Sequence, residues 1–149
     1  MDRHRKRELA AMTLPDRERA FLLRRRIGHL ATADASGIPS VVPVCFAFDA
    51  NTLYTALDDK PKLTRCPRRI RNLKENSRAA FIADCYDEDW SRLGWVMIRG
   101  HGDILDFGEE FESGCEMVRR RYQQYAGMRL SPLIAIRIRE VRSWGNLDD

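Results

Sequence analysis

Lys60 and Lys62 open a stretch, residues 60 to 74, that holds seven lysines and arginines and no acid. Just upstream stand two hydroxyl side chains, Tyr54 and Thr55. Ammonium and hydroxyl groups that converge beyond a strand end make a phosphate cradle, because phosphate oxygens accept strong charge-assisted bonds. Other reactive groups are scattered. His4, His29 and His101 are far apart, and none accompanies a recognisable nucleophile. Asp87, Glu88 and Asp89 read as a solvated turn, since they have no histidine partners to complete a transition-metal site. Cys45, Cys66, Cys85 and Cys115 include no Cys-x-x-Cys pair and each falls in an apolar pattern, which reads as buried free thiols. Neither a Gly-x-Gly-x-x-Gly nor a phosphate-loop sequence occurs. Chemistry supplied by a bound group fits this inventory, with the protein contributing anchors, orientation and field.

The elements that must position these residues follow from pattern and punctuation. The 149 residues suit one domain, expected over 13–149, behind a flexible basic arm at 1–12. No apolar run approaches a membrane span and the basic start has no signal-peptide core behind it, so a cytoplasmic protein is expected. Thr13-Leu14-Pro15-Asp16 predicts a helix start and Gly28 a stop. Strands are predicted at 28–33, 39–48, 52–56, 79–86, 94–105 and 133–141, with Asp34-Ala35-Ser36-Gly37 and Asp49-Ala50-Asn51 as turns. Pro43 marks its strand as an edge or a bulge, and Gly100 and Gly102 mark a bend. Leu63, Cys66, Ile70 and Leu73 predict a helix over 63–75, and Phe111, Cys115, Val118 and Tyr122 the stripe of a longer one. Net charge is +4, and the clusters Arg24–Arg26 and Arg119–Arg121 sit near predicted helix ends, where cations complement the dipole. The fold class is mainly β (α+β): a six-stranded antiparallel split β-barrel with short flanking helices.

An ordered series of segments then carries a family likeness. It comprises Gly28-His29-Leu30-Ala31-Thr32, Val42-Pro43-Val44-Cys45-Phe46, Leu53-Tyr54, Asp58-Asp59-Lys60-Pro61-Lys62, Arg69-Ile70-Arg71-Asn72-Leu73 and Tyr86-Asp87-Glu88-Asp89-Trp90. The series resembles the pyridoxamine 5'-phosphate oxidase-like FMN-binding split barrels, and within them the subfamily that uses the deazaflavin coenzyme F420. The resemblance implies an oxidoreductase that binds coenzyme F420, or FMN, and transfers hydride to or from a small organic substrate. It implies a homodimer with the cofactor site between subunits. Val44 and Cys45 would line the ring, and Tyr54, Thr55, Lys60, Lys62 and secondarily Arg69 would anchor the phosphate. Trp95 and Arg99, on the partner's strand at 94–105, would complete the site, with Trp90 and Trp144 as further candidates for a wall over the ring. Many relatives carry arginine where this chain has Met97; Arg99 is expected to take its part. Two rival readings differ in class. One is a cofactor or haem carrier without turnover. The other is a nucleic-acid-binding barrel using 60–74, which holds no aromatic residue for base stacking.

Overall fold

The computed structural model describes residues 12–57 and 66–149. Among the described residues three helices, α1 (Asp16–Leu23), α2 (Arg68–Glu75) and α3 (Glu109–Arg121), flank seven strands. These are β1 (Gly28–Ala33), β2 (Pro39–Val44), β3 (Ala47–Phe48), β4 (Thr52–Ala56), β5 (Arg78–Cys85), β6 (Gly94–Leu105) and β7 (Leu133–Gly145). They form one antiparallel sheet in the order β2-β1-β5-β6-β7-β4-β3. Its two edge strands, β2 and β3, are consecutive in the chain, with only Cys45 and Phe46 between them. The sheet therefore curls until its edges meet at one short crossing, as a split barrel requires.

The single strand expected over 39–48 is two strands, because the backbone changes neighbours at Cys45–Phe46. β2 pairs with β1 up to Val44, whereas Ala47 and Phe48 pair with β4. Val44, Phe46 and Phe48 nevertheless all point into the core, so the inward alternation runs unbroken through the change. Phe46 is fully buried, its ring edge-on to Phe81 at 4.8 Å. Its backbone groups are not left unpaired. The Phe46 N–H donates to the Tyr122 hydroxyl at 3.0 Å, and that hydroxyl lies 3.0 Å from the Phe46 carbonyl and 2.9 Å from the Arg26 carbonyl. A tyrosine from α3's end thus does for the crossing what a neighbouring strand does elsewhere.

The barrel interior is filled by Leu30, Leu53, Phe81, Val96, Ile98, Ile134, Ile136 and Ile138 with the three crossing residues. α2 packs against β1 and β6, placing Ile70 and Leu73 in this core, while the buried Asn72 amide donates to Thr32 Oγ1 at 3.0 Å. A second core lies between α3 and the outer face of β3, β4 and β7, with Tyr54, Cys115, Val118, Leu130 and Leu133. Pro39 and Pro43 lie on β2, which is indeed an edge strand. The expected bend near Gly100 is a β-bulge: Arg99 pairs with Glu140 but Gly100 with Ile138, leaving Arg139 as the extra residue. A Cβ on Gly100 would sit 2.0 Å from the Arg137 carbonyl oxygen, so the two backbones approach this closely only with glycine here. Beyond the bulge β7 continues to Gly145, four residues further than the sequence pattern indicates.

The first helix ends at Leu23, earlier than Gly28 suggests. The arginines after it bind carbonyls rather than standing free. Arg121 donates to the carbonyls of Leu22 and Arg25, Arg26 to that of Arg121, and Arg24 to that of Leu147. Cations at helix C-termini here satisfy the orphan carbonyls directly.

Candidate functional site

The predicted site residues fall into two groups on different parts of the sheet. The first lies at the crossing. Val44 is buried in the core, and Cys45 is half-buried beside it. Cys45 lines a cavity of ≈ 430 Å³ together with Arg26, Ile27, Tyr122, Gln123 and Gln124. The second group is on the outer face of β6. There Trp95 lies opposite Trp144, Met97 opposite Arg142 and Arg99 opposite Glu140. Along the row from Pro43 through His29 and Ile82 to Met97, the two groups stand three strands apart, roughly 14 Å. One protomer does not bring them together.

The β6 face is apolar with a charged margin. Val41 and Trp144 are exposed and Ile82, Trp95 and Met97 half-buried, so this broad sheet surface carries large side chains without full cover. Arg99 Nη1 reaches Glu140 Oε2 at 3.3 Å, and Arg142 Nε reaches the other oxygen, Oε1, at 2.6 Å. The paired guanidiniums, Arg142 foremost, hold the Glu140 carboxyl below the usual carboxylate range. Arg142 lies directly across from Met97. Sequence alone does not reveal this neighbour, because it comes from another strand. Trp90 stands 72 % exposed on the turn between β5 and β6.

The hydroxyls expected at the phosphate are engaged elsewhere or turned inward. Tyr54 faces α3, and its hydroxyl donates to Glu110 Oε2 at 2.9 Å. Burial, reinforced by that bond, pushes the Tyr54 phenol well above its ordinary pKa. Thr55 is on the opposite face and 2 % exposed, paired with Ile134 of the inner core. Lys60 and Lys62 lie outside the described residues. Arg69 is half-buried on α2. Near it, between α2 and β6, a cavity of ≈ 580 Å³ is lined by Lys74, Ser77, Asp103, Asp106 and Pro132 among others. The Pro132 carbonyl accepts from the Leu57 N–H at 3.2 Å, so this cavity borders the point from which the lysine segment departs.

Tyr54 belongs instead to a cluster that the sequence does not flag. Arg137 grips Glu110 through both nitrogens, at 2.5 and 2.8 Å, and reaches Asp103 Oδ2 at 3.0 Å. The Arg137 bonds, with Tyr54's help, hold the Glu110 carboxyl below its ordinary range. A carboxylate with a depressed folded-state pKa contributes stability above its unfolded pKa and loses it as pH falls through the folded one. Glu110→Gln is therefore expected to destabilise by roughly 1–3 kcal/mol at neutral pH. The gap from wild type should narrow as pH drops below the ordinary glutamate range, in urea melts at a series of pH values. A pH-independent gap would show that the charge is not what matters.

Among the described residues no group of His, Cys, Asp and Glu could hold a metal ion. The four cysteines are free, Cys115 buried and the other three half-buried rather than fully enclosed. Burial raises the Cys115 thiol above its ordinary pKa. No described helix is long and apolar enough to cross a membrane.

A curated relative from Streptomyces rimosus, a 5a,11a-dehydrotetracycline/5a,11a-dehydrooxytetracycline reductase, is 33% identical over 116 residues, covering 72% of this chain and 78% of its own. A solved structure of an F420 reductase superposes with a TM-score of 0.61 at 22% identity, covering 87% of this chain and 98% of that one. A haem storage protein from Vibrio cholerae superposes at 0.68 with 15% identity, covering 90% and 95%. These two likenesses speak for the fold. The model of the pyridoxamine 5'-phosphate oxidase family matches residues 14–145, from the first helix to the end of β7, and the chain belongs to that family.

Proposed function

We propose that the protein is an oxidoreductase that binds coenzyme F420, in preference to FMN, at a site shared by two copies of the chain. The observation that carries this reading is the separation of the two residue groups. Among the described residues the crossing at Cys45 lacks a wall, and the β6 face, with Trp95 and Trp144, lacks an anchor. Pairing two copies through the broad sheet face would set one group against the other and cover Ile82, Met97 and Val41. The 33%-identical relative is a reductase, which supports redox chemistry here. The preference for F420 rests on the subfamily likeness of the ordered segments.

The residues present fit a planar anionic cofactor in part. Lys60, Lys62 and Arg69 would hold its phosphate, and the Cys45 segment would face the ring's polar edge. Tyr54 and Thr55 do not reach solvent and are not part of the anchor in this reading. When bound, the cofactor supplies the hydride chemistry, and the protein binds, orients and excludes water. Trp95 and Trp144 from the partner would keep water from the ring.

The test joins sedimentation to cofactor titration. Wild type is expected to be a dimer at micromolar concentration and to bind F420 more tightly than FMN, read from visible absorbance and fluorescence. Trp95→Ala should weaken dimerisation and cofactor binding together, by about 2 kcal/mol as for a central interface aromatic. A monomer with undiminished cofactor binding would overturn the shared site. Tight FMN binding without F420 binding would overturn the cofactor preference.

A further inference from the structure

We infer that the cavity at the strand crossing is a recognition site for a singly charged organic anion, a carboxylate or enolate carried on an apolar ring. On the reading above, this is the acidic end of the substrate. The cavity, ≈ 430 Å³, is large enough for one small ring compound. Its walls hold one cation and no acid: Arg26, Ile27, Cys45, Tyr122, Gln123 and Gln124. An anion entering it meets no carboxylate.

The cation, exposed to solvent, is held at two points. The Arg26 guanidinium lies 4.6 Å from the centre of the Tyr122 ring, and its Nη2 donates to the Arg121 carbonyl at 2.7 Å. Tyr122 is itself immobilised by its bonds to Phe46 and Arg26 backbone groups. Among the described residues Nε and Nη1 of Arg26 have no protein acceptor. A planar fork with donors to spare matches the two oxygens of a carboxylate or an enolised diketone. The exposed carboxamides of Gln123 and Gln124 add further donors, and Ile27, 48% exposed, offers an apolar surface to a ring. The helix-end carbonyls that would repel an anion are already taken. Arg26 occupies that of Arg121, and Arg121 occupies those of Leu22 and Arg25.

The position gives the site its use. Cys45 is the crossing residue between β2 and β3, and Phe46 after it is held rigidly, so the cavity keeps a fixed distance from the β2 edge. A substrate gripped here by its acidic oxygens would present its remaining ring to whatever lies along that edge.

Salicylate serves as the probe and salicylamide, its uncharged amide, as the control. Both are titrated into the full-length protein without cofactor and followed by nitrogen–proton NMR. Salicylate is expected to shift the side-chain amide signals of Gln123 and Gln124. Arg26→Gln should weaken its binding about tenfold, the equivalent of one charge-assisted contact, while Arg26→Lys restores part of the loss. Salicylamide should bind weakly and be indifferent to Arg26. Should Arg26→Gln fail to fold, the double change Gln123→Ala and Gln124→Ala, both exposed, is expected to weaken salicylate several-fold instead. Equal salicylate affinity in wild type and variant, or shifts confined to other surfaces, would overturn the assignment. Salicylate binding in a protein that takes up neither F420 nor FMN would sustain the anion site and overturn the cofactor reading.

Discussion

Alanine at both Lys60 and Lys62 is expected to weaken cofactor binding by about 3–6 kcal/mol, since each charge-assisted contact is worth roughly 1.5–3. That is a hundredfold loss at the least. Single variants should each lose about half. The melting temperature should stay near that of wild type, because lysine is almost never fully buried unless paired. Fluorescence titration of F420 into the double variant checks it. Unchanged affinity would remove the lysines from the site and move the search for a phosphate anchor to Arg69 and Lys74. Neutralising Arg68 and Arg71 alone should leave cofactor binding intact, as both are exposed on α2.

The second large effect concerns the fold. Phe46→Ala is expected to destabilise by about 3–5 kcal/mol, the cost of deleting a fully buried aromatic that leaves a cavity. Three contacts go at once: the edge-on meeting with Phe81, the stack beside Phe48, and the Arg121 guanidinium 4.7 Å above the ring. Much of a small domain's stability would be lost, so urea denaturation should show a midpoint moved far down. A loss below about 1 kcal/mol would mean that the crossing is not the packing centre that its burial implies.

Phe46 also explains what could and could not be read from the sequence. Periodicity reports which face of a strand is buried, and Val44, Phe46 and Phe48 keep one rhythm through the crossing. It is blind to which strand lies alongside, and so β2 and β3 read as one. The other strands and the helix around Cys115 were legible because their patterns and their pairing change together. Face and position were legible for some of the expected site residues. Trp95 and Arg99 do share a face, and Cys45 does line a cavity. Tyr54 misled because a hydroxyl near a strand end says nothing about which side of the sheet it leaves. Its partner Glu110 is 56 residues away on α3, a distance that no local motif spans. The place of Arg142, across from Met97, escaped for the same reason: it depends on a neighbour across the sheet.

The bulge at Gly100 acts as a phase shift. One extra residue, Arg139, moves β7 by one position against β6, and a shift of one turns every later side chain to the other face. Without it Trp144 would stand opposite Gly94 and Arg142 opposite the buried Val96, both on the barrel-facing side. With it they stand opposite Trp95 and Met97 on the outer face. The aromatic pair on that face is thus put in step by a glycine that contributes no side chain to it.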